Sequence, residues 1–139
     1  MAGYSGTPLV QKLGLKPGHR VRLHDAPDGF RSLLAPEPPG VVWVRALSGT
    51  LDMIVLFAPR KTALERSFAR AARTLTPAGM IWVAWPKAAS GIPTDLNENA
   101  VRAHGLAIGL VDVKVCAIDD VWSGLKFVRR LADRGGKEA

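Results

Sequence analysis

Two apolar runs in the middle of the chain constrain its fold more than any other feature. They read LDMIVLFA over residues 51–58 and MIWVAW over residues 80–85. Each has the length of a β-strand that is buried on both faces, and neither approaches the ~20 residues that are needed to cross a bilayer. Strands of this kind are typical of parallel sheets that are covered by helices, so we expect such a sheet here.

The segment between the two runs has the pattern of an amphipathic helix. Thr62 and Glu65 match a T-x-x-E capping box. Apolar residues recur at helical spacing along the same segment, at Leu64, Phe68, Ala71 and Leu75. The letters TPAG after them are expected to end the helix. Strand, helix and strand in this order predict one βαβ unit.

The remaining segments continue the alternation. Thr7 is the predicted N-cap of a short first helix, with Pro8 at its first position. The segment DGFRSLL is expected to form one or two helical turns that bury Phe30, Leu33 and Leu34. A second long helix is predicted to begin near Thr94 or Asp95, with a buried stripe at Leu96, Ala100, Ala103 and Ala107.

Four strands are predicted near residues 20–24, 41–44, 52–58 and 80–85, all of them parallel. The last two apolar segments, LVDVKVCAI and LKFVRRL, alternate more strongly in polarity and favour an antiparallel hairpin. We therefore predict one domain over residues 1–139, an α/β three-layer sandwich with a mostly parallel, Rossmann-like sheet and right-handed crossovers. The C-terminal letters ADRGGKEA are expected to form a solvated tail.

The formal charge of +7 raises the question of a nucleic-acid partner. The densest helical set of cations is Arg66, Arg70 and Arg73, on one face of the predicted helix. We interpret this set as a solvated face rather than a nucleic-acid surface, because no recognised nucleic-acid motif accompanies it. The single cysteine, Cys116, excludes an intramolecular disulfide and a thiolate zinc cluster. With no membrane span or signal-peptide pattern, a cytoplasmic location is expected.

The order of these signals resembles a reduced class I methyltransferase fold, the fold of enzymes that use S-adenosylmethionine (SAM). The segments that carry the resemblance are KPGHRVRL, LDMIVLF and LTPAGMIWVAWP, together with the closing hairpin. The segments YSGTPL, VAWPKAASGIPTDLNEN and GLVDVKVCAIDDVWSGLKFVRR are similar to a bacterial family that is known only as a domain of unknown function (DUF3052-like). That second resemblance implies a fold and supplies no reaction.

The methyltransferase resemblance implies a glycine-rich turn with an acidic residue after the first strand, and a second acidic residue after strand two for the ribose of SAM. In this chain the first turn reads HDAPDGF, which keeps only Gly29 and includes Pro27. Arg45 stands where the ribose-binding carboxylate is expected. The segment after the next strand, FAPRK, lacks the motif of amino-group methyltransferases. We therefore expect no cofactor, and SAM only if the chain is a methyltransferase with an unusual cofactor loop.

Other catalytic patterns are absent from the sequence. The three histidines show no metal-ligand spacing, so we interpret them as surface or packing residues and expect no metal site. Cys116 lies within a predicted strand and is interpreted as an inert thiol. The adjacent Asp119 and Asp120 are interpreted as part of a polar hairpin loop rather than as an acid/base pair.

The predicted site lies at the carboxyl edge of the sheet, where ligands bind in open α/β folds. A helix start after a buried strand favours an anionic group held by lysine and backbone amides, beside a tryptophan wall. The predicted ligand-binding residues are Asp28, Gly29, Arg45, Trp85, Lys87, Ser90, Gly91, Thr94, Asp95 and Trp122. The alternative is that Trp82 and Trp85 are only core anchors on opposite faces of the sheet and that Ser90 is an ordinary loop residue.

From the sequence we interpret the chain as a non-catalytic binding or regulatory protein on a degenerate methyltransferase-like fold. Its expected partner is an anionic small molecule or a protein, with no membrane partner. The first alternative is a small SAM-dependent methyltransferase with an unusual cofactor loop. The second is a basic protein associated with nucleic acid, which is supported by the charge alone.

Overall fold

A computed structural model describes residues 7–134 and forms one mixed six-stranded sheet. The strands are β1 Arg20–His24, β2 Val42–Trp43, β3 Leu51–Phe57, β4 Leu75–Pro86, β5 Leu110–Ala117 and β6 Trp122–Arg129. The helices are α1 Leu9–Leu13, α2 Lys61–Thr74 and α3 Glu98–Ile108, with 3₁₀ turns at Phe30–Leu34, Ala88–Ser90 and Leu131–Asp133. The N-terminal letters YSG and most of the predicted solvated tail lie outside the described residues.

The strand order across the sheet is β2-β1-β3-β4-β6-β5. Strands β2, β1, β3 and β4 are parallel, and β6 pairs antiparallel with both β4 and β5. These pairings confirm the predicted fold class, the four parallel strands and the antiparallel hairpin. The chain runs from β1 to one side of the sheet and then crosses back to β3, so a topological switch point lies between β1 and β3.

Helices and turns cover the sheet on both faces and give the core two layers. One layer joins α2 and α3 to the sheet through Leu64, Phe68 and Val101. The other joins α1 and the first 3₁₀ turn to the opposite face. Trp85 belongs to the first layer and Trp82 to the second, and the indole N–H of Trp82 donates to the Leu13 carbonyl oxygen at 2.8 Å. Both tryptophans are therefore core residues.

The start of α2 differs from the expected capping box. Its N-cap position is Arg60, and Thr62 is an exposed residue inside the first turn. The Asp95 carboxylate accepts a hydrogen bond of 2.7 Å from the Lys61 backbone N–H instead. A carboxylate from a distant loop therefore caps the helix, in place of the local threonine that the sequence pattern predicted.

The end of α2 also differs, because the letters TPAG belong to β4 rather than to a loop. Strand β4 begins at Leu75, and its register with β3 shifts between Leu51 and Met53. Thr76 to Gly79 are accommodated at that irregularity. Prolines are tolerated in a strand at such a bulge, because no ladder hydrogen bond is needed from that residue.

Helix α3 begins later than predicted, at Glu98, with Asn97 as its N-cap. The Asn97 side chain accepts a hydrogen bond from the Ala100 N–H at 2.8 Å. The predicted stripe of Ala103 and Ala107 is wrong, because both residues are exposed. Val101 and Gly105 face the core instead, and Gly105 lies so close to Phe127 that a side chain there would overlap its ring.

Two smaller differences lie on the opposite face. Helix α1 begins at Leu9 with Pro8 at the N-cap position, one residue later than expected. The turn Phe30–Leu34 buries Phe30 and Leu34, whereas Leu33 is exposed. Among the described residues, no helix has the length and apolar character that crossing a membrane requires.

Candidate functional site

The loops that follow the strands converge at the carboxyl edge of the sheet. Strand β5 is antiparallel to β6 and β6 is antiparallel to β4, so β5 runs in the same direction as the parallel strands. The β5–β6 turn therefore reaches the same edge as the loops after β1, β3 and β4. The Lys87 N–H donates to the Val121 carbonyl oxygen at 2.8 Å, which fixes this turn against the segment that follows β4.

A cleft of about 610 Å³ lies beyond the end of β4. Four of the predicted site residues line it, namely Trp85, Lys87, Gly91 and Thr94. The volume lies within the ~300–1,000 Å³ that is usual for small-molecule sites. The lining combines apolar side chains with the Lys87 ammonium group, the Thr94 and Ser123 hydroxyls and the Glu98 carboxylate. The arrangement suits a small ligand with a flat apolar part and a polar end.

Sequence reasoning missed eight of the twelve residues that line this cleft. The additional residues are Pro86, Ala88, Ile92, Pro93, Leu96, Asn97, Glu98 and Ser123. Ser123 reaches the cleft because it is the antiparallel partner of Trp85. No sequence signal could have paired these two residues before the order of β4 and β6 was known.

Three other predicted residues have structural contacts in this region. The Ser90 hydroxyl donates to the Lys87 carbonyl oxygen at 2.7 Å and accepts from the Ile92 N–H at 3.1 Å, so it stabilises its own loop. Asp95 caps α2 through the Lys61 N–H. Trp122 packs edge-on against Phe57, with ring centroids 5.0 Å apart, on the face opposite to Trp85.

The other predicted residues lie near the switch point. Asp28 and Gly29 belong to the turn after β1, and Gly29 has a φ of 82° with open space where a Cβ would be. Arg45 is exposed just after β2, at the outer side of the sheet. Asp25 directly follows β1 and has a φ of 57°, a left-handed conformation that few residues other than glycine, asparagine and aspartate adopt. The predicted residues thus form one group after β1 and β2 and one at the end of β4, whereas Trp122 lies on the opposite face of the sheet.

A cluster around His24 adjoins the first group. The Arg22 guanidinium lies 3.5 Å from His24 Nδ1, and the Ser67 hydroxyl lies 3.1 Å from Nε2. A guanidinium can only donate, so Nδ1 accepts and the ring proton is on Nε2, which donates to Ser67. His24 therefore cannot take a proton from Ser67, and the contact is not that of an activated nucleophile. The Asp25 carboxylate lies 3.5 Å from the same Nε2 atom.

Burial lowers the pKa of His24 below its ordinary value of 6.5. The Asp25 charge raises this pKa, and the Arg22 and Arg70 charges lower it. The ring is therefore neutral at pH 7.

The other candidate catalytic residues have structural explanations. Burial raises the pKa of the Cys116 thiol, which disfavours a thiolate nucleophile. Asp119 accepts hydrogen bonds of 2.8 Å from the Val121 and Trp122 N–H groups, which supports its interpretation as a turn residue. Over residues 7–134 no group of three or more potential ligands is arranged for a metal ion.

Solved structures similar to this one include several methyltransferases. Precorrin-6y C5,15-methyltransferase from Geobacter metallireducens has a TM-score of 0.59 at 12% identity, over 88% of this chain and 86% of that one. Magnesium protoporphyrin IX methyltransferase from Synechocystis with bound SAH has a TM-score of 0.58 at 12% identity, over 88% and 78%. The same enzyme with bound SAM has a TM-score of 0.54 at 11% identity, over 88% and 74%. No family model matches the chain, and no curated protein is similar in sequence.

These similarities establish the class I methyltransferase fold. They also contradict the expectation that no cofactor is involved, because two of the similar structures hold SAM or its product on this fold. The expectation was wrong because it rested on missing glycines and on Arg45. Residues of two loops are a weaker guide than a fold that is similar over 88% of the chain.

Proposed function

We propose that this chain is a small SAM-dependent methyltransferase with an unusual cofactor loop. The observation that carries the proposal is the switch point between β1 and β3, where a left-handed Asp25 turn and the open space beside Gly29 lie at the carboxyl edge. Crevices at switch points are where open α/β sheets bind their ligands. Similar structures with bound SAH and SAM share this fold and support a cofactor of this kind.

The residues after β1 fit the amino-acid end of SAM. Asp25 and Asp28 supply carboxylates that can accept hydrogen bonds from an ammonium group, and the Asp25 side chain is 68% exposed. Gly29 leaves the backbone open to close approach. When bound, SAM supplies a methyl group on a sulfonium centre, while the role of these residues is to bind and orient it.

The residues after β2 fit the ribose end poorly. Ribose hydroxyls are best held by a carboxylate, and Arg45 offers only donors. The role of Arg45 in this proposal is therefore to favour an anionic group near the cofactor. Arg45 is therefore a second departure from the usual cofactor site, besides the loop after β1, and substitution of Arg45 tests the proposal directly.

The cleft after β4 is the proposed site of the methyl acceptor. Lys87, Gly91 and Thr94 would hold a polar or anionic end of the acceptor, and Trp85 would contact its apolar part. Ser90 and Asp95 would act indirectly, through the loop and the helix cap described above. Trp122 would support the cleft from the other face of the sheet.

Several wider expectations stay part of this proposal. We propose that residues 1–139 form one methyltransferase-like domain and that the DUF3052-like resemblance reflects a related fold.

The second candidate is a binding or regulatory protein without catalysis, which recognises an anionic small molecule or a protein. One observation favours it: the cleft at β4 combines Lys87 with an apolar wall, which is sufficient for binding alone.

Titration calorimetry with SAM and with its demethylated product tests the proposal. We expect saturable binding of both, with a dissociation constant in the micromolar range, about −8 kcal/mol. Asp25→Asn should weaken binding about tenfold, because asparagine keeps the left-handed turn and removes the charge. Asp133→Asn, at an exposed carboxylate in the 3₁₀ turn after β6, is the matched control and should bind as the wild type does.

Arg45→Glu separates the two candidates. It should strengthen SAM binding several-fold by restoring an acceptor for the ribose hydroxyls. Loss of SAM binding in Arg45→Glu, or no binding by the wild type, would contradict the cofactor proposal. Lys87→Ala should leave SAM affinity unchanged and reduce transfer of labelled methyl groups to an anionic acceptor. A protein that binds SAM but transfers no methyl group to any acceptor tested would favour the second candidate.

A further inference from the structure

We propose that the outer face of α2, together with Arg22 of β1, binds the phosphodiester backbone of a nucleic acid. This surface does not include the cleft after β4, and the proposal does not depend on SAM. It revises the interpretation of the α2 cations as a merely solvated face.

The first observation is the geometry of the cations on α2. Arg66, Arg70 and Arg73 are exposed and lie on the side of the helix opposite to the buried Leu64 and Phe68. Seven residues of α-helix span about 10 Å, since each residue adds about 1.5 Å. That length corresponds to about three phosphates of one strand of a duplex, which are spaced about 3.4 Å along its axis.

The second observation is that these arginines have no acidic partners. Over residues 7–134 no carboxylate oxygen lies within 4.0 Å of Arg66, Arg70 or Arg73. By contrast, two arginines elsewhere are neutralised: Arg31 pairs with Glu37, and Arg102 pairs with Glu98 and Asp112. An arginine without a carboxylate keeps its planar set of donors available for phosphate oxygens.

The third observation connects a cation of the sheet to the helix. Arg22 lies on β1, and its guanidinium lies 3.5 Å from His24 Nδ1. The other ring nitrogen of His24 lies 3.1 Å from the Ser67 hydroxyl of α2, so Arg22 and α2 meet at the same imidazole ring.

The edge strand β2 is partly uncovered on the side of the sheet that α2 packs against. Val44 packs against the core on the α2 side, and Val42, two residues before it, faces the same side and is 45% exposed. The described connection between β2 and β3 contains no helix that would cover this face. A long polymer can therefore lie along α2 without displacing any element. The charge of +7 would attract a polyanion from a distance.

Fluorescence anisotropy with a labelled single-stranded RNA, a duplex DNA and vesicles rich in phosphatidylserine tests this proposal over a series of salt concentrations. The wild type should bind nucleic acid with a dissociation constant of about 1–100 μM at physiological salt. The RNA and DNA arms identify which nucleic acid is preferred. Binding of vesicles as tight as that of either nucleic acid would overturn the proposal.

A pair of matched double variants locates the surface. Arg66→Gln with Arg70→Gln removes two charges from α2, whereas Lys16→Gln with Lys114→Gln removes two exposed charges from the other side of the sheet. The α2 variant should lower affinity at least tenfold and reduce the slope of log K against log salt by about 1.4 for a single strand or 1.8 for a duplex. The control should change affinity no more than twofold. Equal losses in both variants, or no wild-type binding at low salt, would overturn the proposal. Circular dichroism melting of both variants confirms that each is folded.

Discussion

Removal of the Asp95 carboxylate distinguishes a structural cap from a ligand-binding residue. The sequence places Asp95 in the predicted site, whereas the structure joins its Oδ1 atom to the Lys61 N–H at 2.7 Å. Lys61 is the first residue of α2, and no side chain within α2 itself caps that end. Asp95 therefore connects the loop before α3 to the beginning of α2.

The expected cost follows from two terms. Loss of an N-cap acceptor costs about 1 kcal/mol, and loss of a negative charge near a helix N-terminus costs about 0.3–1 kcal/mol. Asp95→Ala loses both and should lower the free energy of unfolding by about 1–2 kcal/mol. Asp95→Asn keeps an acceptor oxygen and should cost only the charge term. For 139 residues, 1 kcal/mol corresponds to a Tm change of about 3–5 °C.

Urea unfolding followed by tryptophan fluorescence measures these differences, with Thr62→Ala as the control at the predicted capping box. We expect the loss of stability to decrease from Asp95→Ala to Asp95→Asn, and Thr62→Ala to stay within about 0.5 kcal/mol of wild type. A Thr62→Ala cost equal to that of Asp95→Ala would show that the local capping box operates. Unchanged stability with lost ligand affinity in Asp95→Ala would show that the carboxylate binds a ligand instead.

Three further predictions concern the core and the pH dependence. Gly105→Ala should destabilise the protein by about 1–3 kcal/mol in urea unfolding, because the new methyl group overlaps the Phe127 ring, although alanine has the better helix propensity. Adding Phe127→Leu to this variant should recover part of the lost stability. Trp82→Ala should cost about 3–5 kcal/mol in the same assay, and Trp82→Phe less, because the latter loses mainly the bond to the Leu13 carbonyl. The pKa of His24 is lowered on folding, so its contribution is complete above pH 6.5 and is lost as the pH falls through the lower folded-state pKa. Urea midpoints between pH 7.5 and 5.5 should therefore decrease less for His24→Gln than for the wild type.

The fold was predictable because long apolar runs leave few alternatives. Residues 53–58 and 80–85 are hydrophobic on both faces, and such strands need helices on both sides of a parallel sheet. The predicted helix faces and caps were wrong where a residue distant in sequence determines the packing. The α3 stripe was misassigned because its alanines suit either face of a helix, and Phe127 on β6 determines that Gly105 faces inward.

The candidate site was predictable in position but not in composition. Lys87, Gly91 and Thr94 follow a buried strand, and that rule alone brings them to the cleft. Ser123 and Asn97 could not be assigned, because they depend on the β4–β6 pairing and on the true start of α3. The His24 contact with Ser67 joins residues 43 positions apart and has no sequence signature.

The two halves of the carboxyl edge differ in how they are held, and this difference bears on what they can bind. The loop after β4 is fixed by its own Ser90 bonds, by the contact with Val121 and by the Asp95 cap, so the cleft beside it is preorganised. The turn after β1 is held by local bonds, from the Phe30 N–H to the Pro27 carbonyl oxygen and from the Ser32 N–H to the Gly29 carbonyl oxygen, both 3.1 Å, and Gly29 itself is exposed. A ligand at the cleft therefore meets side chains that distant contacts already position, whereas a ligand at the turn after β1 would contact an exposed local turn. Affinity for SAM should accordingly depend on the residues of this turn and on Arg45 more than on any residue of the cleft.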